Sequence, residues 1–263
     1  MQHVHSQATW LDRSSYPFQS HFWETEEGRL HYIDEGAGQP ILFVHGTPVW
    51  SFVYRHLIAA FSQTHRCIAV DHLGFGLSDH PEACDYRPQA HARRLKGLIE
   101  KLDLRDFILV VHDFGGPIGL GAALEMPARV ARIVIMNTWL WQTEDDPNAI
   151  RVNRLLNGWI GRFMYLQLNA SARFLIPAAF ADKKKLTKQI HHHYRKVFPS
   201  PGSRKGALEI GKSLLDASAW YGSLGRQLGA LHHASSLILW GEKDPFIQMD
   251  ALAKWQNLLP NAE

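Results

Sequence analysis

Apolar and polar residues alternate along the chain with two periods. Short continuous apolar runs recur at Ile41-Leu42-Phe43-Val44, Cys67-Ile68-Ala69-Val70, Phe107-Ile108-Leu109-Val110-Val111, Val130 to Met136 and Leu237-Ile238-Leu239-Trp240. Runs of this length, rich in β-branched residues, predict strands buried on both faces. Phe22 to Thr25 and Arg29 to Asp34, around Glu26-Glu27-Gly28, predict two shorter strands before them. Between the buried runs lie helical patterns: Trp50 to Phe61, the i, i+3, i+4, i+7 set Leu95, Leu98, Ile99 and Leu102, and Ile118 to Met126. Strands alternating with helices predict an α/β fold with a mostly parallel sheet flanked by helices.

From Thr138 to about Ser223 the alternation stops and helical periods take over. Val152, Leu155, Leu156, Trp159, Ile160 and Phe163 predict one amphipathic face. Leu186, Ile190, Tyr194 and Val197 predict a second, and Ala207, Ile210 and Leu214 a third. This reads as a helical cap, residues 138–223, inserted into a core of residues 1–137 and 224–263. Residues 1–20, with His3, His5, Trp10 and Asp12, read as an arm without an apolar leader segment.

In open parallel sheets, ligands sit at the carboxyl ends of the strands. Three turns fall there: His45 to Pro48, Asp71 to Ser78, and Asp113. The last stands between a buried strand and Gly115-Gly116-Pro117, the pattern of a nucleophile elbow. The N–H groups and dipole of the following helix favour an anion there, so Asp113 is expected to stay ionised and attack carbon. The alternative role for Asp113 alone is a helix N-cap. Asp244, before Pro245 and after the last buried run, is either a turn cap or the acid that orients a histidine. Backbone N–H groups of Thr47 and Phe114 are candidates for an oxyanion hole. His45 reads as a packed turn residue.

Composition excludes more than it selects. The 263 residues suffice for one full core, and the net charge of +3 argues neither for nor against an anionic partner. No basic stripe interleaved with aromatics points to nucleic acid. No G-x-G-x-x-G or P-loop is present, which disfavours nucleotides. Cys67 and Cys84 make no metal spacing and fit a reducing, cytoplasmic setting. No apolar run is long enough to span a membrane, and no membrane partner is expected. His191-His192-His193 lies in the basic segment Lys183 to Lys205. Three consecutive residues cannot share a helical face, so a solvated surface is expected there rather than a metal site.

Taken together, His45-Gly46-Thr47-Pro48 with Trp50 to Arg55, Asp71 to Ser78, Val111 to Gly116 and Gly241-Glu242-Lys243-Asp244-Pro245 resemble the α/β-hydrolase superfamily. The pattern is most similar to haloalkane dehalogenases, with epoxide hydrolases second. The resemblance runs from about Tyr16 to the end and is weakest in the cap. It implies Asp113 as nucleophile, an alkyl-enzyme ester, a small apolar substrate, water as co-substrate and no cofactor or metal. Asn137-Thr138, where some branches carry the acid, holds no carboxylate, which leaves Asp244.

The chain departs from that pattern in two places. Dehalogenases usually carry Trp after the nucleophile, to hold the departing halide. Here it is Phe114, which has no ring donor. Trp139, Trp141 and Trp159 are candidate replacements. Tyr165 and Tyr221 are the candidate phenol pair for epoxide opening. A β-lactone decarboxylase would use the same Asp attack. The general-base His of the family lies beyond a further strand, and no such His is present in the chain. The sequence therefore reads as the family pattern shortened at its C-terminus, with an unpaired sheet edge and slow ester hydrolysis expected. An inactive hydrolase-fold protein is the non-enzymatic alternative. A serine esterase is disfavoured, because Asp113 occupies the elbow and no Gly-x-Ser-x-Gly replaces it.

Overall fold

A computed structural model describes residues 8–263; His3 and His5 lie outside the described residues. Among the described residues, seven strands form one sheet: β1 (Ser20–Thr25), β2 (Gly28–Glu35), β3 (Pro40–Val44), β4 (Arg66–Val70), β5 (Phe107–His112), β6 (Val130–Met136) and β7 (Ser235–Leu239). Their spatial order is β1-β2-β4-β3-β5-β6-β7. The β1–β2 and β2–β4 pairs are antiparallel; from β4 to β7 every pair is parallel. The expected α/β fold with a mostly parallel sheet is thus observed.

The apolar runs of β3, β4 and β5 form central strands because both faces are covered, whereas β7, expected to be buried on both faces, is an edge strand with Leu237 and Leu239 exposed. Leu42, Val44, Leu109 and Val111 are fully buried. Each such side chain withdrawn from water stabilises the fold by roughly 1.5–3 kcal/mol before entropy is counted. Helices α1 (Arg55–Phe61), α2 (Pro88–Lys101) and α3 (Gly115–Leu124) connect the parallel strands. The predicted helix from Trp50 begins instead as a 3-10 turn, Ser51–Tyr54. The two faces of β2 do not divide into core and solvent: His31 is as buried as Leu30, because its Nδ1 lies 2.8 Å from Oδ2 of buried Asp71. Asp71 also accepts the Ser51 N–H at 2.8 Å and the Leu77 N–H at 2.9 Å. Burial works against this carboxylate, yet the His31 charge and these bonds hold it below the usual range.

Between β6 and β7 the chain forms α4 (Pro147–Asn157), α5 (Trp159–Leu166), a π-turn (Ser171–Leu175), α6 (Ile176–Ala179), α7 (Lys188–Lys196), α8 (Lys205–Asp216) and α9 (Ser218–Gln227). Asp146 caps α4 by accepting the Asn148 N–H at 2.7 Å, with Pro147 at the first helical position. The first predicted apolar face does not survive as one buried face. Extended backbone at Gly158 separates α4 from α5, and Leu155, Trp159, Ile160 and Phe163 are exposed while Leu156 is buried. The second and third faces do pack: Tyr194, Val197, Ala207 and Ile210 are buried. Within the histidine triplet, His193 Nε2 accepts the Asp12 N–H at 3.0 Å and His191 Nε2 lies 2.8 Å from Ala172 O. Two of the three rings therefore serve packing rather than a solvated surface.

Helix α10 (Met249–Leu258) closes the described fold. Trp255 on α10 is fully buried and donates its indole N–H to Thr138 O at 2.7 Å. The outer edge of β7 is not bare: Ile238 N donates to Glu263 O at 2.8 Å, and Glu263 N to Ser236 O at 3.0 Å. The last residue thus adds a parallel rung to the edge expected to be unpaired.

Candidate active site

The parallel register sets β3 and β5 side by side, with Val44 opposite Val111, so the turns after both strands meet. In the turn after β5, Asp113 has φ +53°, a left-handed conformation unusual for a residue with a side chain. The neighbours fix it there. Asp113 N donates to Asn137 O at 3.0 Å, while its carbonyl accepts Gly116 N–H at 2.9 Å and Thr138 Oγ1–H at 2.6 Å. Gly115 permits the helix to start so close to β3, since a Cβ there would lie 2.1 Å from Val44 O. Gly46 leaves room for the carboxylate itself: a Cβ at that position would lie 2.1 Å from Asp113 Oδ1.

The Thr47 N–H donates to Asp113 Oδ1 at 2.8 Å, and the Phe114 N–H also bonds the carboxylate. Two donors converge on one side chain, as a developing negative charge on its oxygen would require. These bonds lower the proton affinity, but burial outweighs them. Helped by the nearby Asp244 charge, burial pushes Asp113 up to about 7. This corrects the expectation of a carboxylate held ionised by the helix N-terminus alone: desolvation of the buried charge is the larger effect.

Asp244 follows β7 at the same end of the sheet. Its Oδ1 accepts the N–H groups of Phe246 at 2.8 Å and Ile247 at 3.1 Å, the geometry of a turn cap. Its charge nevertheless acts on both Asp113 and His112. Burial pushes the His112 imidazole down, against the pull of Asp244. Among the described residues, no histidine is hydrogen-bonded to Asp113 or Asp244. His45, fully buried, keeps a packed role: its Nδ1 lies 2.6 Å from Gly46 O and its Nε2 accepts the His72 N–H at 3.1 Å.

The five aromatic candidates part company. Trp139 is buried, packs edge-on to Phe114 with ring centroids 4.8 Å apart, and its indole N–H has no hydrogen-bond partner among the described residues. Trp141 turns instead to Trp255 and carries Lys254 over its ring. Trp159 is 79% exposed on the outside of α5 and cannot serve a buried leaving group. Tyr221 packs on Trp139 at 5.6 Å, but its hydroxyl donates to Ser213 O at 2.8 Å and is committed there. Tyr165 feels the Asp113 charge, and burial pushes its phenol up to about 12.

Two residues that the sequence analysis set aside for lack of a carboxylate belong to this site. Asn137, with φ +26°, accepts the Gly241 N–H at 2.7 Å and donates to Gly241 O and Ile247 O, each at 3.2 Å. It thereby ties the end of β6 to the loop that carries Asp244. Thr138 anchors the elbow through Asp113 O and the last helix through Trp255. The only signal for either was position at the end of a buried strand.

The family model for the alpha/beta hydrolase fold matches residues 39–263. The chain belongs to that family. It is 37% identical over 235 residues to Haloalkane dehalogenase 2 of Mycobacterium tuberculosis, covering 89% of this chain and 81% of that protein. It is 35% identical over an alignment of 263 residues to the Cis-3-alkyl-4-alkyloxetan-2-one decarboxylase of Shewanella oneidensis, covering 94% and 80%. The crystal structure of haloalkane dehalogenase DatA from Agrobacterium tumefaciens superposes with a TM-score of 0.82 at 26% identity, covering 93% of this chain and 86% of that one. The protein is therefore a haloalkane dehalogenase-like α/β hydrolase, an enzyme by its relatives.

Proposed function

We propose that the enzyme dehalogenates small haloalkanes through an ester on Asp113, with the helices between β6 and β7 as a cap over the site. An Asp113 carboxylate oxygen attacks the carbon bearing the halogen. The C–O bond forms as the C–X bond breaks, and the halide leaves with the bonding pair. The Trp139 indole N–H takes the role that Phe114 lacks and receives the halide. The observation that carries this reading is that unpartnered, buried N–H packed against the residue after the nucleophile. Water then adds to the ester carbonyl, whose oxygen is held by the Thr47 and Phe114 N–H groups, and an alcohol departs. A histidine oriented by Asp244 would activate that water in the family pattern; the described residues bring none to Asp244, so the first step is the one to test.

Bromide release from 1-bromobutane tests it. The expected result is at least one bromide per protein, none with Asp113→Ala, and a 10- to 100-fold slower release with Trp139→Phe, the worth of a hydrogen bond to a charged group. Release unaffected by Trp139→Phe would move the halide site elsewhere.

A second reading is supported by the similarity to the oxetanone decarboxylase. Asp113 would open a β-lactone by attack on the ring carbon bonded to oxygen, freeing a carboxylate. Loss of CO2 would then form an alkene and expel Asp113, with no water and no base consumed. Alkene and CO2 from a cis-3,4-dialkyl-oxetan-2-one, without bromide release from bromobutane, would select this reading. Epoxide opening lacks its phenol pair, because the Tyr221 hydroxyl is committed to Ser213.

A further inference from the structure

The apolar face predicted to bury α4 and α5 instead points to solvent. Leu155 is 48% exposed, Trp159 79%, Ile160 51% and Phe163 52%. At 100° per residue Trp159, Ile160 and Phe163 share one side of α5, and Leu155 stands exposed near the end of α4 that leads into it. A cluster of bulky apolar side chains of this kind marks a contact surface rather than the scattered exposure of an ordinary exterior.

Charge marks the same region independently. From Pro147 to Leu208 the chain carries twelve Lys and Arg and one acid, Asp182, a net +11. The whole chain is +3, which leaves −8 on everything else. Arg151, Arg154, Arg162 and Arg173 are exposed around the apolar cluster, and none makes an ion pair among the described residues.

We propose that this face docks on an anionic lipid bilayer, with Trp159, Ile160 and Phe163 entering the headgroup region and the four arginines meeting lipid phosphates. An apolar stripe with Trp and Phe, rimmed by arginine, is the chemistry of an interfacial helix. A second copy of the chain is a poor occupant, because a two-fold contact would set the four arginines of one face against those of the other. No helix among the described residues is long and apolar enough to cross a membrane, so the contact is peripheral. At 100° per residue, Tyr165 projects from the side of α5 opposite Trp159, Ile160 and Phe163. The docked face therefore lies over the side chain that feels Asp113. An apolar substrate dissolved in lipid would enter there; that last step rests on the proposed dehalogenation, while the docking does not.

The test is co-sedimentation with vesicles of phosphatidylcholine alone and of phosphatidylcholine with phosphatidylglycerol at about 3:1. Binding to the anionic vesicles only, weakened by 0.5 M salt (a screening length of about 4 Å), is expected. Trp159→Ser/Phe163→Ser should lose at least ten-fold in binding while keeping the circular dichroism spectrum and bromide release. Arg151→Glu/Arg162→Glu should lose as much. A folded protein that ignores anionic vesicles overturns the proposal, whatever its activity. So does binding unchanged in the Trp159/Phe163 variant, which would be adsorption by charge alone. Equal affinity for soluble polyglutamate would assign the face to an acidic protein. A dimer dissolved by the same variant, without vesicle binding, would assign it to self-association.

Discussion

Asp113→Asn should stabilise this protein, and by an amount that depends on pH. The carboxyl is pushed from 3.8 in the unfolded chain to about 7 in the fold, chiefly by burial. Each factor of ten in proton affinity is about 1.4 kcal/mol, so full ionisation in the native state costs at most about 4 kcal/mol. Asp113 keeps partial contact with solvent, which reduces this to about 2 kcal/mol. The sign follows from proton linkage. Below pH 3.8 the group is protonated in both states and costs nothing. As pH rises toward 7 only the unfolded chain releases its proton, so stability falls, and above 7 the cost is complete. Asparagine keeps the acceptor for the Thr47 and Phe114 N–H groups and does not titrate. Urea unfolding of both proteins at pH 5 and pH 8 should therefore show a gap of about 2 kcal/mol at pH 8 and less than half of that at pH 5. In melting temperature the gap at pH 8 is about 4–8 °C. A gap that stays constant with pH, or a variant less stable at pH 8, would refute the claim that a buried charge at the elbow is held at a cost.

The same proton governs reactivity. Only the carboxylate attacks carbon, so the rate of bromide release should rise about tenfold from pH 6 to pH 8 with a midpoint near 7, and a flat profile would show that Asp113 is ionised throughout. Gly46→Ala puts a methyl carbon where a Cβ lies 2.1 Å from Asp113 Oδ1. It should slow the first step by more than tenfold, since misplacement of reacting atoms by about 1 Å costs about a hundredfold, and should lower the melting temperature as well, because the methyl also meets Asp113 Cβ at 2.4 Å while hydrogen bonds hold that backbone in place. His31→Ala leaves Asp71 buried without its partner and should lower stability by about 3–5 kcal/mol in urea unfolding, whereas a loss below about 1 kcal/mol would mean that the Ser51 and Leu77 N–H groups suffice.

The sheet was legible because its signal is covalent order alone: buried strands read as apolar runs wherever both faces are covered. The elbow was legible for the same reason, as Asp113 sits where one such run meets Gly115-Gly116. What failed needed distances across the chain. Trp159 fits a helical period as well as any core residue, and only the turn of backbone at Gly158 puts it outside. Trp139, Trp141 and Tyr221 are equivalent as donors in sequence; their partners, or the lack of one, distinguish them. Asn137 bears no charge, so its grip on the 241–247 loop had no signature. The proton affinity of Asp113 depends on how much water the surrounding fold excludes, which no local pattern records. The charge asymmetry of residues 147–208 was present in the sequence throughout. A whole-chain balance of +3 concealed it, and it acquired meaning only when the apolar face beside it proved exposed.

Catalysis by Asp113 requires a covalent bond between its carboxylate and the substrate carbon. Intact mass after incubation with 1-bromobutane at pH 8, followed by peptide mapping, tests it most directly. A single butyl adduct is expected on the peptide containing Asp113, absent from Asp113→Ala. A folded protein with no adduct and no bromide released, or an adduct on any other residue, would contradict it.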